Sequence, residues 1–155
     1  MNINLARATA DDAKQILDMQ VTAFAKLLDK YQDFDTNPGA ETLERIVEKL
    51  NQSYTYFYFI KCDEKTVGAI RIKDRKLANE PKRISPIFIM PQYRNCGYAQ
   101  CAIRLAEELH GAKNWEIDTI LQEPDLCRFY EKLGYHKINR QKRINSNMTL
   151  VFYAK

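Results

Sequence analysis

The chain has 155 residues, of which 45% are hydrophobic and 28% charged, and a net charge of +4. This length suits one domain, and such a domain buries about 68–70% of its unfolded surface, enough for a core without disulfide or metal staples. The composition excludes a disordered or fibrous chain. No apolar run approaches the ~20 residues of a membrane span. The stretch from Met1 to Thr9 lacks the basic-then-apolar order of a secretory signal. The expectation is a single cytoplasmic domain over residues 1–155, with no membrane partner.

The remaining composition narrows the chemistry. Cys62, Cys96, Cys101 and Cys127 form no C-x-x-C pair, and the only histidines, His110 and His136, lie far from ligand spacing. Neither a disulfide framework nor a bound metal is expected. Basic residues gather at Arg71, Lys73, Arg75, Lys76, Lys82 and Arg83, and again at Lys137, Arg140, Lys142 and Arg143. They read as a solvated strand face and loop, and the charge is too small to argue for nucleic acid.

Helices and strands then follow in order. Ile3, Leu5 and Arg7 alternate as a first strand. Thr9 and Asp12 form a capping-box variant ahead of a helix whose inward face is Ala13, Ile16, Leu17, Val21, Phe24, Leu28 and Tyr31. Asn37-Pro38 opens a second helix with Leu43, Ile46, Val47 and Leu50 in its stripe. Tyr54 to Cys62 and Thr66 to Lys73 form a hairpin, and Lys82 to Met90 is a fourth strand. Gly97 to Gly111 is a helix with Ala99, Ala102, Ile103, Ala106 and Leu109 inward. Trp115 to Leu121 is a fifth strand. Pro124 to Leu133 is a short helix closed by Gly134. Tyr135 to Ile144 and Met148 to Ala154 close the sheet as an antiparallel pair. The order predicts a mixed α/β sheet, mostly antiparallel, with about four helices. The fourth and fifth strands, joined through a helix, form a parallel pair.

The chemistry concentrates where the fourth strand meets the long helix. Arg94, Gly97 and Ala99 stand at that helix start. Free N–H groups and the helix dipole there suit a phosphate. Gly97 allows close main-chain approach, and Arg94 adds a permanent cation. The segment has no G-K-[ST] of a P-loop and too few glycines for a dinucleotide fingerprint. Pro86 removes a ladder donor from the fourth strand, which fits either an edge position or a bulge that parts this strand from its parallel neighbour.

The run Arg94-Asn-Cys-Gly-Tyr-Ala99 resembles the pyrophosphate loop of the GNAT acetyltransferase superfamily, [RQ]-x-x-G-x-[GA]. Phe129-Tyr-Glu-Lys-Leu-Gly-Tyr135 is similar to its F-Y-x-x-x-G-[FY] segment. The element order of the whole chain fits as well. The resemblance implies acetyl-CoA as co-substrate and an amine as acceptor, with a homodimer compatible. Main chain of Ile87, Phe88, Ile89 and Met90 would run along the pantetheine. N–H groups of Arg94, Asn95, Cys96, Gly97, Tyr98, Ala99 and Gln100 would hold the pyrophosphate, and Tyr130 would be the general acid beside the CoA sulfur. An amine would attack the thioester directly, so no Ser-His or Cys-His nucleophile is needed, and Cys96 and Cys127 read as structural.

The chain departs from the pattern at two points. Glu123 stands where the family often has asparagine, and the Ile84-Ser-Pro-Ile87 stretch lacks the glutamate base some members carry. Glu116, Asp118, another carboxylate or an ordered water would serve instead. Asp33 and Asp35, in the connection between the first two helices, are candidates for receiving a cationic amine, or else belong to a solvated turn. A non-catalytic acyl-CoA-binding domain is the alternative to an enzyme, and retention of Tyr130 favours the enzyme.

Overall fold

The computed structural model describes residues 2–155. Seven strands form one sheet: β1 (Ile3–Arg7), β2 (Thr55–Cys62), β3 (Lys65–Lys73), β4 (Lys82–Ile89), β5 (Trp115–Ile120), β6 (His136–Asn145) and β7 (Met148–Ala154). Their spatial order is β1-β2-β3-β4-β5-β7-β6. Every neighbouring pair is antiparallel except β4 with β5. The crossover between those two is α4 (Tyr98–His110).

Alternation along the strands divides the core between the two sheet faces. On one face α4 contributes Ala102, Ile103 and Ala106, and α5 (Pro124–Lys132), with the residue after it, contributes Tyr130 and Leu133, packed on Ile70, Ile72, Trp115 and Ile117. On the other, α1 (Ala13–Ala23) and α3 (Leu43–Asn51) bring Ile16, Met19 and Ile46 against Phe57, Phe59, Ala69 and Phe88. At the C-terminal end of α4, His110 sits between Asp74 (2.9 Å) and the Tyr58 hydroxyl (3.0 Å), tying helix to sheet. That accounts for one histidine as a structural group.

The helices differ from expectation where tertiary packing intervenes. The first helix is broken at Phe24, whose ring meets Phe88 edge-on at 5.7 Å, and continues as α2 (Ala25–Tyr31). This break makes five α-helices rather than four. The face of α1 also turns: Met19, Gln20 and Ala23 are buried, while Val21 is exposed. Asn37-Pro38 starts only a single 3-10 turn. There the carbonyl of Pro38 accepts the amide of the buried Gln20 at 2.8 Å. The α3 helix begins later, where the Thr42 hydroxyl accepts the Arg45 N–H. Leu43 and Leu109, expected inward, are 40% and 61% exposed because they lie at helix ends past the packed faces.

One glycine sets how closely β3 and β4 approach. A Cβ at Gly68 would sit 2.1 Å from the Phe88 carbonyl oxygen and 3.0 Å from the Ile89 Cα. Main chain cannot yield as a side-chain tip does. Gly68→Ala is therefore expected to lower unfolding free energy by about 1–3 kcal/mol, the usual range for overpacking, and chemical denaturation checks it.

Candidate active site

After Ile89 the chain makes a 3-10 turn (Pro91–Tyr93) and reaches α4 through Arg94 to Gly97. Asn95 (φ 62°) and Gly97 (φ 83°) are both left-handed, which turns the main chain sharply ahead of the helix. Cys101 N–H to the Gly97 carbonyl is the first bond of the helix. The N–H groups of Tyr98, Ala99 and Gln100 therefore have no helical acceptor. Asn95, Cys96 and Gly97 are exposed. A Cβ built on Gly97 meets nothing within 4 Å. The result is a set of N–H donors without helical acceptors at a positive helix end, suited to an anion.

The Arg94 side chain takes a different part from the one its charge suggested. Its guanidinium donates to the carbonyls of Ile89 (3.1 Å) and Ala23 (2.7 Å), locking the loop to β4 and α1. An anion at this loop would therefore meet main-chain N–H groups rather than this guanidinium. Cys96 is exposed, with its thiol directed at the Arg94 carbonyl.

The strand leading into the loop parts from its parallel neighbour. β4 and β5 pair only at Lys82 with Trp115 and Arg83 with Glu116. Beyond that, the β5-facing edge of Ile87, Phe88 and Ile89 is left without a strand partner. Just past the last of these pairs the β3–β4 register shifts: Ile70 faces Ile87 and Ile72 faces Ile84, so Ser85 and Pro86 together oppose Arg71. This is the bulge that Pro86 allowed.

Tyr130 on α5 is only 8% exposed, with its ring against Phe129 and Tyr135, in the same core cluster as Ile89 and Ile117. Burial, and then the charge of Asp118, push its hydroxyl well above the usual tyrosine value. That makes it a neutral donor rather than a phenolate.

On the opposite face the site is richer in charge than the sequence suggested. Arg83 bridges Glu116 (2.7 Å) and Asp118 (2.5 Å), and Arg140 reaches Glu116 at 3.1 Å while lying 3.9 Å over the Phe152 ring. Glu116 is thus held by two guanidiniums, Asp118 by one. Glu123 accepts from Lys30 and Tyr31, tying α2 to the start of α5. Burial raises its carboxyl, but those two bonds outweigh that and hold it below the ordinary carboxylate value.

Asp33 and Asp35 part company. Asp33 is buried, and its carboxylate accepts the Asp35 and Thr36 N–H groups and the Thr36 hydroxyl. It caps its own turn. Asp35 is exposed and lines a cavity of about 390 Å³ with Phe34, Thr36, Glu41, Arg45 and Lys49. Nothing in the sequence marks Arg83, Arg140 or Glu41 as site residues, since their partners come from other strands and helices. Arg71 carried a signal in sequence, as a lone cation inside the apolar run Val67 to Ile72.

A mixed sheet opened at one parallel pair, with a glycine-led helix at the opening, is the arrangement of an acyl-CoA acyltransferase fold. The model of the "Acetyltransferase (GNAT) domain" matches residues 14–155. An acetyltransferase from Thermus thermophilus superposes with a TM-score of 0.73 at 18% identity, covering 100% of this chain and 97% of that one. The PaiA N-acetyltransferase of Thermoplasma acidophilum, in complex with coenzyme A, gives 0.72 at 14% identity, with 100% of both chains covered. The microcin self-immunity acetyltransferase MccE, in complex with acetyl-CoA and AMP, gives 0.71 at 15% identity, covering 99% and 91%. No curated protein matches the chain. The chain belongs to the GNAT acetyltransferase family and is an acyltransferase of that class. Among the described residues no helix is long and apolar enough to cross a membrane, and no His, Cys, Asp or Glu cluster could hold a metal.

Proposed function

We propose that this protein transfers an acetyl group from acetyl-CoA directly to a primary amine of a small molecule or peptide. The observation that carries the reading is the open set of N–H donors at the start of α4, joined to a strand whose facing edge is unpaired. Tyr98, Ala99 and Gln100 N–H groups, with the Asn95–Gly97 turn, would hold the pyrophosphate. The Ile87–Ile89 edge would take the pantetheine amides.

In the step itself the amine nitrogen forms a bond to the thioester carbonyl carbon, the carbon–sulfur bond breaks, and the sulfur takes the Tyr130 proton. The ammonium proton leaves toward Asp118, directly or through water. Asp118 is preferred over Glu116 because only one guanidinium engages it. A thioester is already reactive, so orientation of the two substrates and stabilisation of developing charge supply most of the effect.

Saturating acetyl-CoA at about a hundred times its Kd should stabilise the fold by roughly 2.7 kcal/mol. A thermal shift scan reads this, and a panel of amines, polyamines, amino acids and peptides assayed for CoA thiol release identifies the acceptor. An unmoved melting temperature would overturn the co-substrate assignment.

Asp35, which lines the cavity with Glu41, would be the carboxylate that receives the cationic acceptor. Asp35→Asn is expected to raise the acceptor KM several-fold, about 1 kcal/mol for a charged hydrogen bond partly screened, with the acetyl-CoA KM unchanged. Asp33→Asn should instead lower stability, because its carboxylate caps a turn. Steady-state kinetics and melting curves separate the two.

A further inference from the structure

Arg71 occupies a position that ordinary strand packing does not explain. It lies in β3 between Ile70 and Ile72, both 0% exposed, and is itself only 8% exposed. Among the described residues it forms no ion pair with a carboxylate. Its Nε proton is buried without a partner, and its Nη2 has only long contacts to Thr55 (3.4 Å) and Gln52 (3.5 Å). Burying a guanidinium on these terms is costly. An isoleucine or threonine would serve the strand better.

The one short contact it makes is informative. Nη1 donates to the Ser85 carbonyl at 2.8 Å. Ser85 and Pro86 are the two residues that oppose Arg71 alone in the β3–β4 register. A bulge leaves main-chain groups outside the ladder, and Pro86 has no N–H to offer. The Ser85 carbonyl thus faces no paired N–H of β3 at the bulge, and the guanidinium supplies the donor it lacks. All β4–β5 pairing lies before this point, at Lys82 and Arg83, and none follows it. The bulge is thus the hinge at which β4 turns away from β5 and frees the Ile87–Ile89 edge. Gly68, three residues before Arg71 in β3 and paired with Ile89, lets β4 approach closely beyond the bulge.

We infer that Arg71 is a positioning residue for the transfer reaction: by holding the Ser85 carbonyl it fixes the bulge that opens the acyl-CoA cleft between β4 and β5. It touches no reacting atom, and the stability cost of its buried charge is what the cleft geometry requires. The inference rests on the acetyl-CoA reading for its kinetic consequence, but not for its structural one.

The experiment compares wild type with Arg71→Met, which keeps bulk and removes the donor, and Arg71→Lys, which keeps one cationic donor. Calorimetry with CoA alone needs no acceptor. Arg71→Met is expected to bind CoA at least about tenfold more weakly, with a melting temperature equal to or above wild type. Arg71→Lys is expected to recover most of the affinity. A merely structural arginine predicts the reverse: a lowered melting temperature and unchanged affinity in the folded fraction. Crystal structures of both proteins supply the second readout. In Arg71→Met the β4–β5 ladder should extend past Arg83 and Glu116. If wild type itself bound no CoA, the functional reading would fail, and this register alone would judge Arg71. A retained bulge with unpaired Ile87–Ile89 in Arg71→Met overturns the inference in either case. Should Arg71→Met not fold, Arg71→Gln, too short to reach the Ser85 carbonyl, takes its place with the same expected outcomes.

Discussion

Tyr130→Phe is expected to lower kcat by about 10²-fold, the lower end of general-acid contributions, because a thiolate leaving group needs modest help near neutral pH. Affinity for acetyl-CoA should hardly change. The substitution keeps the ring against Phe129 and Tyr135, and no described residue takes a hydrogen bond from the hydroxyl, so the melting temperature should also hold. The pH behaviour sharpens the test. Burial and Asp118 hold the hydroxyl protonated above the usual value of 10.0. The acid is therefore loaded throughout the physiological range, and its loss of proton would reduce rate only well above pH 10. The sign for stability is the same. A raised folded value means that stability is present below the unfolded value and declines as pH rises past it. The phenylalanine variant should give a pH–rate profile of wild-type shape at a lower plateau. Full activity in that variant would remove Tyr130 from the chemistry.

Gly97→Val is expected to weaken CoA binding by more than about tenfold in a protein that still folds. Two effects have to be separated. At φ 83° a β-branched residue is strained, at a cost of about 1–2 kcal/mol. Nothing in the free protein clashes with a Cβ there, so that cost is confined to main chain. The second effect is occupancy: the isopropyl group would fill the space next to the Tyr98–Gln100 N–H groups. Gly97→Asn distinguishes them, because asparagine tolerates the left-handed region. It should melt close to wild type and still bind CoA weakly. Calorimetry on both variants decides, and wild-type affinity in Gly97→Asn would reduce the loop to a packing turn.

The sequence by itself settled the seven strands, the two later helices and their order. Period-two runs such as Ile3 to Arg7 and caps such as Gly111 and Gly134 fix local structure through bonds a few residues apart, which is why most boundaries match. It also determined the loop from Arg94 to Gln100, because a strand, a turn glycine and a helix start form one continuous segment. The tertiary structure alone decided what distant segments do to one another. Phe24 breaks its helix where it packs on a ring that lies 64 residues further on, at Phe88. Asn37-Pro38 fails to start a helix where Gln20 takes the Pro38 carbonyl. Arg94, readable as a phosphate ligand, spends its guanidinium on Ala23 and Ile89. Asp33 and Asp35 are equivalent in sequence, but burial leaves one capping a turn and the other facing a cavity. Arg83, Arg140 and Arg71 gain their parts only through strand register, which brings Arg83 beside Glu116 and Arg71 opposite Ser85 and Pro86. Hydrogen-bond partners and desolvation are properties of neighbours in space, and a single sequence records those only where chain and space coincide.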